Sequence, residues 1–420
     1  MTTNILIAPG VTLRAMQSDK FKTGCFSINF LRQHNKENAS IDALLPSVLL
    51  RGTEKYPDMQ QITARLDELY GSAVGTLVRC KGEAKLFGFY AEFLEDQFVP
   101  EGGIFTGILD FLDQLLYHPY TEDSCFCHRY VEGEKRNLIN ALEAVINDKR
   151  SYATRRLLHH MCPEEDYRIH RLGSVEDVEK ITARDLWEHY QYVLRNCSIE
   201  IFYGGRLTPQ EAAAAFAPMF AHRKDAPWEE THTKLVPVAS QVREISESMK
   251  VSQGKLVMGL RIDLDPTDPE YVAMNLLNGI LGVGMTSKLF TNVREKRSLC
   301  YYASSTYNRF KGIMFISAGI DFEDYEVAKD AILAELEACK RGDITPEELE
   351  SARIQHLSAL YAALDAPNRL DDFFVGQAIS PTVDLPQQIE MIKALTVQEL
   401  AAVANKLTLD TVYFLKGVEE

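Results

Sequence analysis

Cys125-Phe126-Cys127-His128 sets three soft donor side chains within four positions. Zinc takes such donors, but its structural sites pair them at wider spacing and add a second pair, and none comes later in this sequence. His159-His160, with Glu164 and His170, is the densest group of histidines. Adjacent residues on a helix point about 100° apart, so at most one of the pair would face a common metal. Gly282-Val283-Gly284 opens a helix without the preceding strand or the Lys-Ser/Thr of a phosphate-binding loop. HExxH, HxxEH and HxxxH spacings are all missing from the sequence, so no helix carries two histidines on one face in any of these patterns. Arg294 and Tyr301 remain, a guanidinium and a phenol able to stabilise negative charge that develops away from water. An arginine near a helix end and a tyrosine in a strand are also ordinary structural residues.

The elements that would position these residues repeat one plan twice. Residues 175–186 and 389–400 share apolar, Thr and Leu positions in one register. In each, a threonine (Thr182, Thr396) precedes an acid three positions on (Asp185, Glu399), the N-cap pattern. A helix and a closing strand come next, over 198–203 and 411–415. The front of each half repeats as well. Strands at 25–31 and 256–264 lead to apolar helices at 41–51 and 271–281, then to second helices at 59–70 and 287–297. Period-two alternation marks further strands at 85–93 and 312–320. Long amphipathic helices are expected over 103–116, 132–147, 324–340 and 346–363.

Strand runs set apart from helix runs indicate an α+β fold of two homologous domains, each a mainly antiparallel sheet with helices packed on one side. The expected division is an N-terminal αβ domain over 1–222, a linker over 223–240 broken by Pro227 and Pro237, and a C-terminal αβ domain over 241–420. A chain of 420 residues, 46% hydrophobic, can bury more than one core. Its 45 Lys+Arg against 60 Asp+Glu leave a net charge of −15, which argues against nucleic acid or an anionic membrane as partner. With no signal-peptide pattern and no long apolar run, a cytoplasmic protein is expected. The eight cysteines lack CxxC spacing and read as reduced, buried residues.

Leu172-Gly173-Ser174-Val175-Glu176, Ile181-Thr182 and the strand ending Tyr203-Gly204-Gly205 resemble segments of the insulinase/pitrilysin family of zinc peptidases. The stretch from Gly284 through Ser287, Leu289 and Phe290 to Arg294, Glu295, Leu299 and Tyr301 is similar to that family's second-domain signature. With the 365–370 segment, the resemblance covers nearly the whole chain. It implies two related αβ domains forming half of a clamshell peptide chamber.

The family holds zinc with HxxEH on its first apolar helix, two histidines binding the metal and a glutamate activating its water. Anchored on Gly52-Thr53, this sequence has Ala43 and Ser47 at the histidine positions and Pro46 at the glutamate. The third-ligand glutamate falls on Ala141. Alanine has no donor atom, serine is a poor neutral ligand, and proline brings no carboxylate. The resemblance therefore implies no metal or other cofactor in this chain, with Arg294 and Tyr301 at the positions that meet substrate and the developing oxyanion.

The function so implied is that of a non-catalytic, substrate-binding and transition-state-supporting subunit of a heterodimeric zinc peptidase acting on peptides or unfolded polypeptides. Zinc would sit in an HxxEH-bearing homologous subunit, as in the family's two-chain members such as mitochondrial processing peptidase. A homodimer of the isolated chain stays open. One alternative is a peptide-binding or assembly scaffold without proteolysis, linked through the names of bacterial relatives to elongation factor P modification. Another is an autonomous metallopeptidase with its site relocated to the 125–128 or 159–170 groups.

Overall fold

The computed structural model describes residues 3–224 and 228–418. Two sheets of related plan organise it. The first runs Thr3–Ala8, Val11–Gln17, Ser198–Gly205, Thr23–Gln33, Ala84–Leu94, Ala73–Lys81. The second runs Tyr302–Asn308, Ile313–Ile320, Gly254–Ile262, Leu407–Lys416, Arg243–Ser248. Every pairing is antiparallel except Val11–Gln17 with Ser198–Gly205, and Leu407–Lys416 with Arg243–Ser248. The α+β class and the repeat are thus both present. The strands at 3–8, 11–17 and 243–248 come in addition to those expected from the sequence.

Side-chain alternation separates two faces of each sheet. In Thr23–Gln33, Phe26, Ile28 and Phe30 join the main core of the first unit, where Phe26 meets the rings of Phe93, Phe105 and Phe216 at 5.2–6.0 Å. Each such ring is worth about 1.5–3 kcal/mol of burial. In Gly254–Ile262, Leu256, Met258 and Leu260 face the second unit's helices, while Val257 joins a separate cluster on the other face.

That other face explains why the compact units are not the contiguous stretches 1–222 and 241–420. One unit comprises Met1–Glu143, Ile169–His232 and Leu364–Ile379, and the other Ala144–Arg168, Thr233–Ala363 and Ser380–Glu420. Each takes a segment from the opposite half of the sequence. In the first unit the helix Pro367–Ile379 covers the sheet face opposite the main core, where Phe374 stacks on Phe202 and Asp371 accepts hydrogen bonds from Ser27 and Arg79. In the second, the helix Lys149–Met161 places Ala153, Leu157 and Met161 against Val257, Tyr413 and Leu415. Gly259 permits this approach, since a Cβ there would stand 2.6 Å from the sulfur of Met161. Of the 223–240 linker, residues 225–227 lie outside the described residues, and 228–240 hold no helix or strand.

Charged groups fasten the second unit's borrowed segment. The Arg261 side chain, 2% exposed, donates to both oxygens of Glu165 at 2.7 and 3.1 Å and to Asp410 at 2.9 Å. Lys311, also buried, lies 2.7 Å from Glu165. Burial pushes the Glu165 carboxyl up, but the Arg261 and Lys311 donors outweigh it and hold it below the usual value. Nearer the surface, Glu247 takes hydrogen bonds from Arg156 and Tyr413. The Arg156 guanidinium, against the upward push of partial burial, brings its carboxyl down to about 2 from 4.5.

Replacing Glu165 with alanine removes the carboxylate that two buried cations share and is expected to cost about 3–5 kcal/mol in denaturant unfolding, whereas an effect below about 1 kcal/mol would contradict this network. The Glu247 pair contributes stability above pH 4.5 that fades as the pH falls toward 2. Because the pair is partly solvated, Glu247→Gln should remove about 1 kcal/mol at pH 7 and flatten the acid limb, as unfolding measured across pH will report.

Candidate functional site

The helix Lys36–Leu49 starts earlier than its apolar pattern indicates, because Asn35 and Asn38 form a reciprocal capping box at 3.0 and 3.2 Å. Four residues apart, Ala43 and Ser47 share a face. Both line a cavity of about 430 Å³. The helix His128–Ala144 adds Glu134, Asn137, Leu138 and Ala141, which the i, i+3, i+4, i+7 spacing places on one side. Glu143 is not part of this lining. Pro46 is buried inside the helix and also absent from the cavity wall, and its missing N–H leaves the Asp42 carbonyl without its helical partner.

Thr76, Leu77 and Val78 of the outermost strand Ala73–Lys81 form another wall. Arg171 and Leu172 close the space, held by the Gly173 turn. Gly173 has φ +79°, and a Cβ there would fall 1.9 Å from the Ser40 hydroxyl oxygen, so only glycine lets this loop lie on the helix.

This cavity does not suit zinc. Its one carboxylate, Glu134, lies 3.5 Å from the Arg51 guanidinium, and Arg171 adds a second cation to the wall. Alanine and serine offer no anionic or imidazole donor. Nor do the other candidate donors converge. Among the described residues no group of three His, Cys, Asp or Glu side chains is placed to hold a metal. Cys127 is buried, and the Cys125 thiol donates to the carbonyl of Glu122. His159 and His160 belong to the second unit, where His160 faces Glu247 at 3.4 Å, whereas His170 belongs to the first.

In the second unit, Arg294 and Tyr301 line one cavity of about 360 Å³ together with Glu295, Ser298, Leu299, Cys300 and Asp321. The segment expected as an ordinary helix over 287–297 forms a π-helix over Leu289–Lys296. Its wider turn carries Arg294 over the Phe290 ring at 4.7 Å and beside Glu295 at 3.3 Å. Ser298, at φ +53°, then turns the chain back. Tyr301 precedes the strand Tyr302–Asn308 and is 62% exposed, with its hydroxyl donating to Asp321 at 3.3 Å. Burial pushes the Cys300 thiol up to about 11, with Arg294 pulling the other way, so it is a neutral thiol at pH 7.

A family model described as "Peptidase M16 inactive domain" matches residues 180–355. The chain is 32% identical to a Bacillus subtilis protein named "Probable inactive metalloprotease YmfF", over 98% of this chain and 96% of that one. The chain belongs to the M16 peptidase family. A conserved protein from Enterococcus faecalis matches its fold over 100% of this chain and 99% of that one, with a TM-score of 0.90 at 29% identity. A structure of a peptidase M16 inactive domain from Pseudomonas fluorescens does so over 100% and 98%, with a TM-score of 0.80 at 17% identity. The chain is a non-catalytic M16 member.

Sequence reasoning did not find Arg171, the Thr76–Val78 wall or Asp321. Asp321 was within reach: Tyr302 pairs with Gly319 in the hairpin, so Tyr301 must lie beside the residues just after Gly319. Arg171 and the edge strand meet the helix only through tertiary packing.

If Ala43 and Ser47 share the cavity wall, the double variant Ala43→His/Ser47→His should retain zinc through gel filtration where the wild-type chain retains none, since two histidines at i, i+4 chelate from one face. A folded double variant with wild-type zinc content would contradict that placement.

Proposed function

We propose that this chain is the non-catalytic, substrate-binding subunit of a heterodimeric zinc peptidase acting on peptides or unfolded polypeptides. An HxxEH-bearing homologous subunit would carry the zinc. The observation that carries this reading is the contrast between two cavities. One cavity gathers Ala43, Ser47 and Ala141 with no histidine in its lining, while Arg294 and Tyr301 line another.

The edge strand adds support. Ala73–Lys81 pairs on one side only among the described residues, and its Thr76–Val78 backbone borders the ligand-free cavity. An extended peptide can add to such an edge through main-chain hydrogen bonds, which need no metal and little sequence preference. The net charge of −15 favours neutral or basic polypeptides. Arg294 would donate to a substrate carbonyl or its oxyanion, and Tyr301 would do so by exchanging Asp321 for the substrate oxygen.

In the complex with an HxxEH-bearing chain, Arg294→Ala and Tyr301→Phe should each lower kcat by about 10²–10³-fold while the zinc content of the complex stays constant. Unchanged cleavage in both variants would refute the assignment. Stable peptide binding with no cleavage of any peptide in a library would favour the scaffold reading instead.

A further inference from the structure

The cavity of about 430 Å³ that gathers Ala43, Ser47 and Ala141 has walls suited to something other than a metal. Most of its lining is aliphatic: Ala43, Leu44, Val78, Leu138, Ala141 and Leu172. About 150 Å³ lined by apolar side chains already takes a benzene ring. One bulky side chain therefore fits here.

Charge selects against an ionised occupant. The Glu134 carboxylate is met by the Arg51 guanidinium at 3.5 Å and by the Asn137 amide at 3.2 Å. Ser47 and Ala141 stand in the last turns of their helices, where the carbonyl ends carry partial negative charge and oppose an acid. The Arg171 guanidinium on the same wall opposes a base. A neutral, apolar group meets neither objection.

The edge strand determines how such a group arrives. In Ala73–Lys81, Thr76 and Val78 stand opposite Phe89 and Phe87, whose rings belong to the main core of the first unit. Residues directly opposite one another in paired strands turn their side chains to the same face of the sheet. Thr76 and Val78 therefore look toward the core side, where the helices Lys36–Leu49 and His128–Ala144 form the cavity. Ala73–Lys81 pairs on one side only among the described residues. A polypeptide strand added on its open side turns every second side chain toward that same face, and the one opposite Thr76 or Val78 meets the cavity. Main-chain hydrogen bonds then hold the strand while the pocket reads one residue, the usual division of labour in strand addition.

We propose, building on the substrate-binding reading above, that this cavity is a specificity pocket for a bulky, uncharged side chain such as Leu or Phe. That side chain belongs to a polypeptide paired in extended form with Ala73–Lys81. Main-chain pairing carries little sequence preference by itself, and the pocket supplies one.

The full chain, without any partner subunit, is titrated with dye-labelled decapeptides of Gly, Ser and Thr that differ only at one central residue: Phe, Leu, Ala, Asp or Lys. Fluorescence anisotropy is expected to show the Phe and Leu peptides binding at least tenfold more tightly than the other three. Ala141→Phe, at an exposed position, fills the cavity and should lower the affinity of the Phe peptide to that of the Ala peptide, with unchanged circular dichroism. Backbone N-methylation of the residues flanking Phe should weaken binding at least tenfold by removing donors to the edge strand. Equal affinity for the Phe and Ala peptides on the wild-type chain, no binding of either, or a Phe preference that persists in folded Ala141→Phe overturns the proposal. None of these readouts involves cleavage. Selective binding by a chain that leaves an HxxEH partner's activity unchanged would sink the heterodimer reading alone, and unselective binding with partner-dependent cleavage would sink the pocket alone.

Discussion

The buried ion network of Arg261, Glu165, Lys311 and Asp410 is the interaction on which the second sheet depends. Two cations and two carboxylates, removed from water, balance one another, and each retains stability only while its partners are present. Glu165 belongs to the segment that ends the helix Lys149–Met161, and Arg261 to a central strand, so the network fixes the borrowed helix in register over Val257 and Tyr413. Asp371, with Ser27 and Arg79, plays the corresponding part on the first sheet. Each sheet is therefore completed by a segment that the chain delivers from its other half, and neither half of the sequence is a self-sufficient domain.

The first helix is built for packing. Ala43, Leu44, Leu45 and Val48 are buried and hold it on the core whether or not a metal is present. Histidine and glutamate in that setting would be buried ionisable groups, tolerable when a cation pairs them and costly without one. Alanine, proline and serine avoid that cost. Pro46 carries its own penalty, about 3 kcal/mol in a helix interior, which the surrounding packing absorbs. The cavity lined by Arg294 and Tyr301, by contrast, carries charged and hydroxyl groups.

Much of this was legible in the sequence for identifiable reasons. Thr182 with Asp185 and Thr396 with Glu399 form reciprocal capping boxes in the structure, so local chemistry marked the repeat. Alternation marked the strands at 85–93 and 312–320, although they pair with strands distant in sequence, Thr23–Gln33 and Gly254–Ile262. The borrowed helices were not legible, because Arg261 and Glu165 are 96 residues apart and nothing local announces their pairing. The π-helix was not legible either, since its apolar residues Leu289 and Val293 keep an ordinary i, i+4 spacing. Positions 43, 47 and 141 came from a resemblance alone, and the three-dimensional arrangement brings them to one cavity.

The central claim is that catalysis belongs to a pair in which this chain supplies substrate contacts and no metal. Titrating a purified HxxEH-bearing partner with this chain, while monitoring peptide cleavage and zinc content, tests it most directly. Cleavage is predicted to rise to saturation at one chain per partner, with one zinc per pair that disappears when the partner's histidines are replaced. A partner that cleaves at its full rate alone, or a second zinc that enters with this chain, would contradict it.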